Sequence, residues 1–251
     1  MDLSERPAEA FRRHPWEVAR FGFFRALLGD AGLDRRPVRV LDAGAGDGWF
    51  ATRLLADMPA GTAVTCWDAS YAPADLARLA AASPERLSFS AEPPGGRFDL
   101  LVLLDVLEHV EHDREFLAGL VAGSLADAGS AVVSVPAWRW LYGAHDAQLR
   151  HHRRYGPRQA AAVVTNAGLA IVRSGGLFHS LLLPRAVHRA REALLPVRQP
   201  PGASTLEWTH GEGAARLVEA VLLAEARLSL VLSRTALSVP GLSWWALCRK
   251  R

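Results

Sequence analysis

From residue 38 to residue 176 the chain alternates short apolar runs with segments of helical periodicity, and no other feature limits its fold as much. The runs are VRVLDAG (38–44), AVTCWD (63–68), RLSFS (86–90), FDLLVLLDV (98–106), SAVVSVP (130–136) and LAIVRSGG (169–176). FDLLVLLDV is apolar at nearly every position, as a strand covered on both faces must be. Helical stretches are predicted between the runs at 49–57, 74–82, 113–125 and 157–167, the last ended by Gly168. Strands that alternate with helices predict an α/β fold, a Rossmann-like doubly wound and mostly parallel sheet with right-handed crossovers. SWWALCRKR supplies a closing strand.

The ends of the chain depart from this pattern. Residues 8–28 predict a helix broken at Pro15, with Phe11, Trp16, Phe23, Phe24 and Leu27 at helical spacing. Residues 1–30 are thus expected to form an N-terminal helical cap. Two helical segments, 180–195 and 211–237, flank a Pro/Gly/Ser-rich linker at 196–206. Residues 179–240 are expected to be a helical insertion, or lid, before the last strand. The whole chain, 1–251, is read as one domain.

Composition narrows the function classes. Charged residues make up 22% and the formal net charge is +3. The basic residues are scattered, with one short cluster, RHHRR at 150–154, so no nucleic-acid partner is expected. Two cysteines, Cys66 and Cys248, lie in apolar runs and are too few for a disulfide framework or a cysteine-built zinc site. The N-terminus lacks the apolar core of a secretory signal, and 221–240 is broken by Glu225, Arg227 and Arg234. A cytoplasmic location is expected.

The loop Asp42-Ala43-Gly44-Ala45-Gly46-Asp47-Gly48 joins the first strand to its helix. Ligands of doubly wound sheets sit beyond the carboxyl ends of the strands, where such a loop lies. Asp42 suits a cationic partner such as the ammonium of S-adenosylmethionine, and Asp68, ending the second strand, would accept hydrogen bonds from ribose hydroxyls. Gly46-x-Gly48-x-x-Ala51 with Asp68 also satisfies the dinucleotide pattern, so a nicotinamide-dependent oxidoreductase is the enzymatic rival. A non-catalytic scaffold binding a partner through 180–237 is the third reading.

VRVLDAGAGDGWFA, CWDAS and FDLLVLLDVLEHVEHD, taken in order, resemble the class I S-adenosylmethionine-dependent methyltransferases, in the type 11 and type 23 group that acts on small molecules. HPWEVARFGFF (14–24) and VPAWRWLYGAHDAQLRHHRRYGP (135–157) extend the likeness over residues 14–178 and the terminal strand. The resemblance implies seven strands with the last antiparallel. It implies S-adenosylmethionine as donor and S-adenosylhomocysteine as product. Asp42, Gly44, Ala45 and Gly46 would line the methionine end, Asp68 the ribose and Ala69 the adenine. Leu104 and Asp105 would face the reactive end. Trp16 and Arg20 would cover the cofactor, with Arg20 meeting its carboxylate. SFSAEPPGG, after the third strand, is shorter than the family pattern, and Glu92 is the substitute near the adenine.

Acceptor chemistry is expected after the fourth and fifth strands. His109, His145, Asp146, His151 and Tyr155 are the catalytic candidates, since an imidazole titrates near working pH. Glu108 and His109 equally suit capping of the next helix, and RHHRRY equally suits a structural clasp with Tyr155 packed beneath the loop. His145, His151 and Asp146 match no common ligand spacing, so no metal is expected. Trp138, Trp140, Trp244 and Trp245 are read as core or lid residues, and His179 and His188 as packing or surface groups. The acceptor is expected to be a small or lipid-like molecule methylated on oxygen or carbon, with peripheral membrane contact through 180–237 as an alternative use of that segment.

Overall fold

The computed structural model describes residues 13–194, 211–235 and 237–251. Seven strands form one sheet: β1 Arg39–Ala43, β2 Ala63–Trp67, β3 Leu87–Ser90, β4 Phe98–Leu104, β5 Leu125–Pro136, β6 Leu169–Leu177 and β7 Ser243–Lys250. Their order is β3-β2-β1-β4-β5-β7-β6. β1 to β5 pair in parallel, and β7 runs antiparallel between β5 and β6. The doubly wound, mostly parallel sheet read from the apolar runs is therefore the fold.

Side chains that alternate along each strand build two cores, one per face. Val40, Leu100, Val102, Val132, Trp245 and Leu247 enter one core; Leu41, Leu101, Leu103, Val133, Trp244 and Cys248 enter the other. The first core is covered by α1 (Pro15–Asp30), α2 (Trp49–Asp57) and α8 (Glu212–Leu232). The second is covered by α4 (Asp113–Ser124) and α6 (Pro157–Asn166). The remaining helices are α3 (Pro73–Ala81), α5 (Ala144–Gln148) and α7 (Leu182–Leu194). Cys66 and Cys248 are buried and unpaired with each other.

Several predicted boundaries shift. Pro15 does not break a helix; it begins α1, where a missing N–H costs nothing. The portion 8–12 of that predicted helix lies outside the described residues, as does the linker 196–206. β5 begins at Leu125 because Leu125 pairs with Phe98 before a register shift, so Ala126–Gly129 belongs to the strand. β4 stops at Leu104 because Asp105 turns to φ +57. The stretch after β5, read as a loop, holds a 3-10 turn at Arg139–Leu141 and the helix α5. Among the described residues no helix is long and apolar enough to cross a membrane.

Candidate functional site

The carboxyl ends of β2, β1 and β4 lie side by side at one edge of the sheet, and the turn after β1 sits there. Gly44, Gly46 and Gly48 take φ of +70, +54 and +70, which side chains other than glycine rarely tolerate. The backbone N–H groups of Gly44 and Ala45 donate to the Trp67 carbonyl at 2.7 and 3.2 Å, so the turn is bolted to the end of β2. A Cβ on Gly44 would lie 2.6 Å from Val106, and one on Gly48 2.7 Å from the Phe89 ring. Those two glycines therefore also admit neighbouring protein side chains, a use that the sequence did not reveal. Ala45 is buried within the turn.

Asp42 lies beneath this turn, 5% exposed, and its Oδ2 has no hydrogen-bond partner among the described residues. Burial pushes its carboxyl up to about 7. A buried carboxylate oxygen without a donor is satisfied by an N–H or a cation on a bound molecule. Asp68 caps the turn from the side: Oδ2 accepts the Gly46 amide at 2.9 Å, and Oδ1 accepts the amide and hydroxyl of Ser70 at 3.0 and 2.6 Å. Ala69 is exposed beside it. Glu92 is exposed, and its backbone N–H and C=O both bond to the Ser90 hydroxyl.

At the end of β4, Leu104 packs against the first core and Asp105 projects from its left-handed backbone. Asp105 Oδ1 accepts from the Ser134 hydroxyl at 3.0 Å, while Oδ2 pairs with Arg20. The Arg20 guanidinium lies over the Trp16 ring, 4.6 Å from its centroid, and Trp16 meets Phe178 edge-on. Arg20, expected to meet a ligand carboxylate, is paired here with Asp105, which ties α1 to the end of β4. A second tie joins Arg13 to Asp47 in the glycine turn. Neither Arg13 nor Asp47 stood out in sequence, since an arginine in an arginine-rich segment carries no positional signal.

Beyond β4 a 3-10 turn, Leu107–His109, points the chain toward the segment after β5. His109 is exposed, and its ring meets His151 edge-on with centroids 4.6 Å apart. Asp146, on α5, is fully buried and receives four donors. They are His151 Nδ1 at 3.0 Å, Arg154 Nε at 2.7 Å, Arg185 Nη2 at 2.9 Å and the Gly143 amide at 3.0 Å. Burial opposes ionisation there, but the bond to His151 and the charge of Arg154 hold the carboxyl well below its usual range. His145, half-buried on α5, has its pKa lowered by burial and by the charge of Arg185.

Tyr155 is fully buried; its hydroxyl lies 2.7 Å from Asp113 Oδ2 and 3.0 Å from the Leu107 carbonyl. Arg153 also reaches Asp113, at 3.0 Å, and His152 donates its amide to the Glu108 carbonyl at 2.7 Å. So the 151–155 segment clasps the turn after β4, and His109 and His151 are brought together at its edge. α7 closes over the adjoining 141–146 segment, Arg185 bonding Leu141 O at 3.1 Å and Arg189 bonding Tyr142 O at 2.6 Å. Trp244 and Trp245 are buried, as read, and Trp138 donates to the Gly241 carbonyl at 2.7 Å; Trp140 is 58% exposed and belongs to no core. His179 is tied to Pro240 O and Ser229, consistent with a packing role.

Residues 16–174 match the model of a family described as a methyltransferase domain. No curated protein matches the sequence. Among solved structures, a sarcosine dimethylglycine methyltransferase homologue from Galdieria sulphuraria aligns with TM-score 0.56 and 16% identity, over 92% of this chain and 85% of its own. The [4+2]-cyclase SpnF aligns with TM-score 0.58 and 17% identity, over 99% and 89%. The plantazolicin methyltransferase BpumL, solved with a monoazolic desmethylPZN analogue and S-adenosylhomocysteine, aligns with TM-score 0.55 and 13% identity, over 94% and 85%. At these identities the three likenesses establish the shared fold.

Proposed function

Because the chain belongs to the class I S-adenosylmethionine-dependent methyltransferase family, we propose that it moves a methyl group from that donor to an oxygen or carbon of a small-molecule or lipid-like acceptor. The observation that carries this reading is the buried, unpartnered Oδ2 of Asp42 beneath the 44–48 turn. It lies within the stretch that matches a methyltransferase domain. An ammonium satisfies such an oxygen, whereas the phosphates of a dinucleotide would be repelled by it. The nicotinamide-dependent reading therefore leaves Asp42 without a role.

When bound, the donor supplies a methyl group activated on a sulfonium, so much of the catalysis is positioning. Asp42 receives the ammonium, and the backbone of Gly44, Ala45 and Gly46 lines the methionine end. Asp68 holds the ribose hydroxyls while keeping the turn closed through Gly46, and Ala69 borders the adenine. Leu104 and Asp105 bound the reactive end. Trp16 and Arg20 hold α1 over the strand ends through Asp105, which shields the cleft from water. Arg20 so placed also stands within reach of the methionine carboxylate, the contact the family resemblance implies.

On the acceptor side, His109 and His151 form the wall that promotes loss of the acceptor's proton. Asp146 fixes His151 with Nδ1 protonated, which leaves Nε2 as the basic atom. His145 borders the same wall from α5. Asp146 and Tyr155 position this wall from within the core. The lipid-like character of the acceptor is supported by α7, which is pinned to the 141–146 segment yet exposes Leu183, Val187 and Leu194 at 71%, 44% and 80%. The same exposed residues support peripheral contact with a lipid surface. Turnover with labelled donor against a panel of small hydroxylated and apolar acceptors tests the reading. Products carrying the new methyl on oxygen or carbon support it, and products methylated only on nitrogen overturn the assigned atom.

A further inference from the structure

Glu108 is fully buried beside the acceptor wall, yet neither of its carboxylate oxygens has a hydrogen-bond partner among the described residues. A carboxylate in that state is costly unless something else meets it. One ligating atom each from Glu108, His109 and His151 lies within 4.8 Å of the others. Two imidazoles and one carboxylate form a donor set suited to divalent first-row transition ions. His151 has the further feature expected of a metal ligand. Its Nδ1 is 3.0 Å from the buried Asp146 carboxylate, which orients the ring and leaves Nε2 for an ion. This set differs from His145, His151 and Asp146, for which no metal was expected: Asp146 and His151 are bonded to each other, and His145 is not a member.

We propose that Glu108, His109 and His151 form a binding site for a divalent transition-metal ion at the acceptor end of the cleft. Bond lengths of about 2.0–2.2 Å place neighbouring ligand atoms roughly 3.3–3.6 Å apart, so the three side chains close by about an ångström on binding. Three protein ligands leave coordination positions open to an oxygen of the acceptor. A bound hydroxyl would become more acidic and release its proton to water. The site rests on the methyltransferase reading for its purpose, and it refines the part given to the imidazoles: with the ion present they are ligands, not bases.

The test uses untagged full-length protein stripped with a chelator and titrated with Co2+ while visible absorption is followed, then with Zn2+ in competition. About one Co2+ per chain, with d–d bands of a low-coordinate nitrogen and oxygen site, is expected. His109→Ala, a change at an exposed position that leaves the core intact, should weaken Co2+ binding at least about tenfold, and Glu108→Gln should do the same. The absence of Co2+ bands in the wild-type protein, or wild-type Co2+ binding in both variants, overturns the site. S-adenosylhomocysteine binding is measured on the same samples. Its loss in the wild-type protein would strike the methyltransferase reading alone, because Co2+ binding does not depend on it.

Discussion

The Asp68 carboxylate accepts the backbone N–H of Gly46 at 2.9 Å, so the acid that ends the second strand also holds the turn that ends the first. Asp68 therefore acts on the cofactor cleft in two ways, by direct contact and by shaping the turn. Asp68→Ala should weaken S-adenosylhomocysteine binding by about 1.5–3 kcal/mol, the range for a hydrogen bond to a charged group. Asp68→Asn, which keeps an acceptor for the Gly46 amide, should lose less. Calorimetric titration of both variants checks the order, and equal losses would show that Asp68 contributes its charge and not its hold on the turn.

Asp42 gives a pH dependence with a defined sign. Burial raises its carboxyl to about 7 in the folded chain, above the ordinary value of 3.8. Between those values the folded protein keeps a proton that the unfolded chain releases, so this group's contribution to stability falls as pH rises through that window. Asp42→Asn should remove the slope and leave the ligand-free protein more stable than wild type at about pH 8, with little difference near pH 3. Urea unfolding at several pH values measures it. S-adenosylhomocysteine binding should show the opposite trend, tightening as Asp42 ionises.

Asp105 occupies a left-handed backbone conformation with φ +57, which asparagine and aspartate tolerate better than β-branched residues do. Asp105→Asn should fold normally while losing the ion pair to Arg20. Asp105→Val should lose an additional 1–2 kcal/mol or so from backbone strain. Thermal unfolding of the two variants, read beside Arg20→Ala, separates the strain from the lost pair.

Asp146 is fully buried against Arg154, Arg185 and His151. Removing it leaves buried positive charge without compensation, so Asp146→Ala should destabilise the protein by about 3–5 kcal/mol. Urea denaturation gives the figure. A loss below about 1 kcal/mol would mean that the clasp contributes little to holding α5 and α7.

The sheet was legible because both of its faces are covered. Continuous apolar runs such as FDLLVLLDV are too short for a buried helix of ordinary length and suit a strand covered on both faces, and the glycines after VRVLDA marked the turn that follows β1. The antiparallel direction of β7 came from family resemblance, and its seat between β5 and β6 came only from the fold, since no periodicity encodes strand order. The contacts that shape the site were hidden for a simple reason. Arg20 and Asp105 are 85 positions apart, and Arg185 and Asp146 are 39 apart, so only the folded chain brings them together. Capping of the next helix and a part in the chemistry stayed open for Glu108, because nothing local shows that a carboxylate in LEHVEHD will be buried without a partner.

Equilibrium binding to the full chain tests the central claim most directly: S-adenosylhomocysteine and, separately, NAD and NADP, against wild type and Asp42→Ala. The account predicts that S-adenosylhomocysteine binds the wild type, binds correctly folded Asp42→Ala more weakly, and that neither dinucleotide binds. Dinucleotide binding without S-adenosylhomocysteine binding, or an affinity for S-adenosylhomocysteine unchanged by Asp42→Ala, would contradict it.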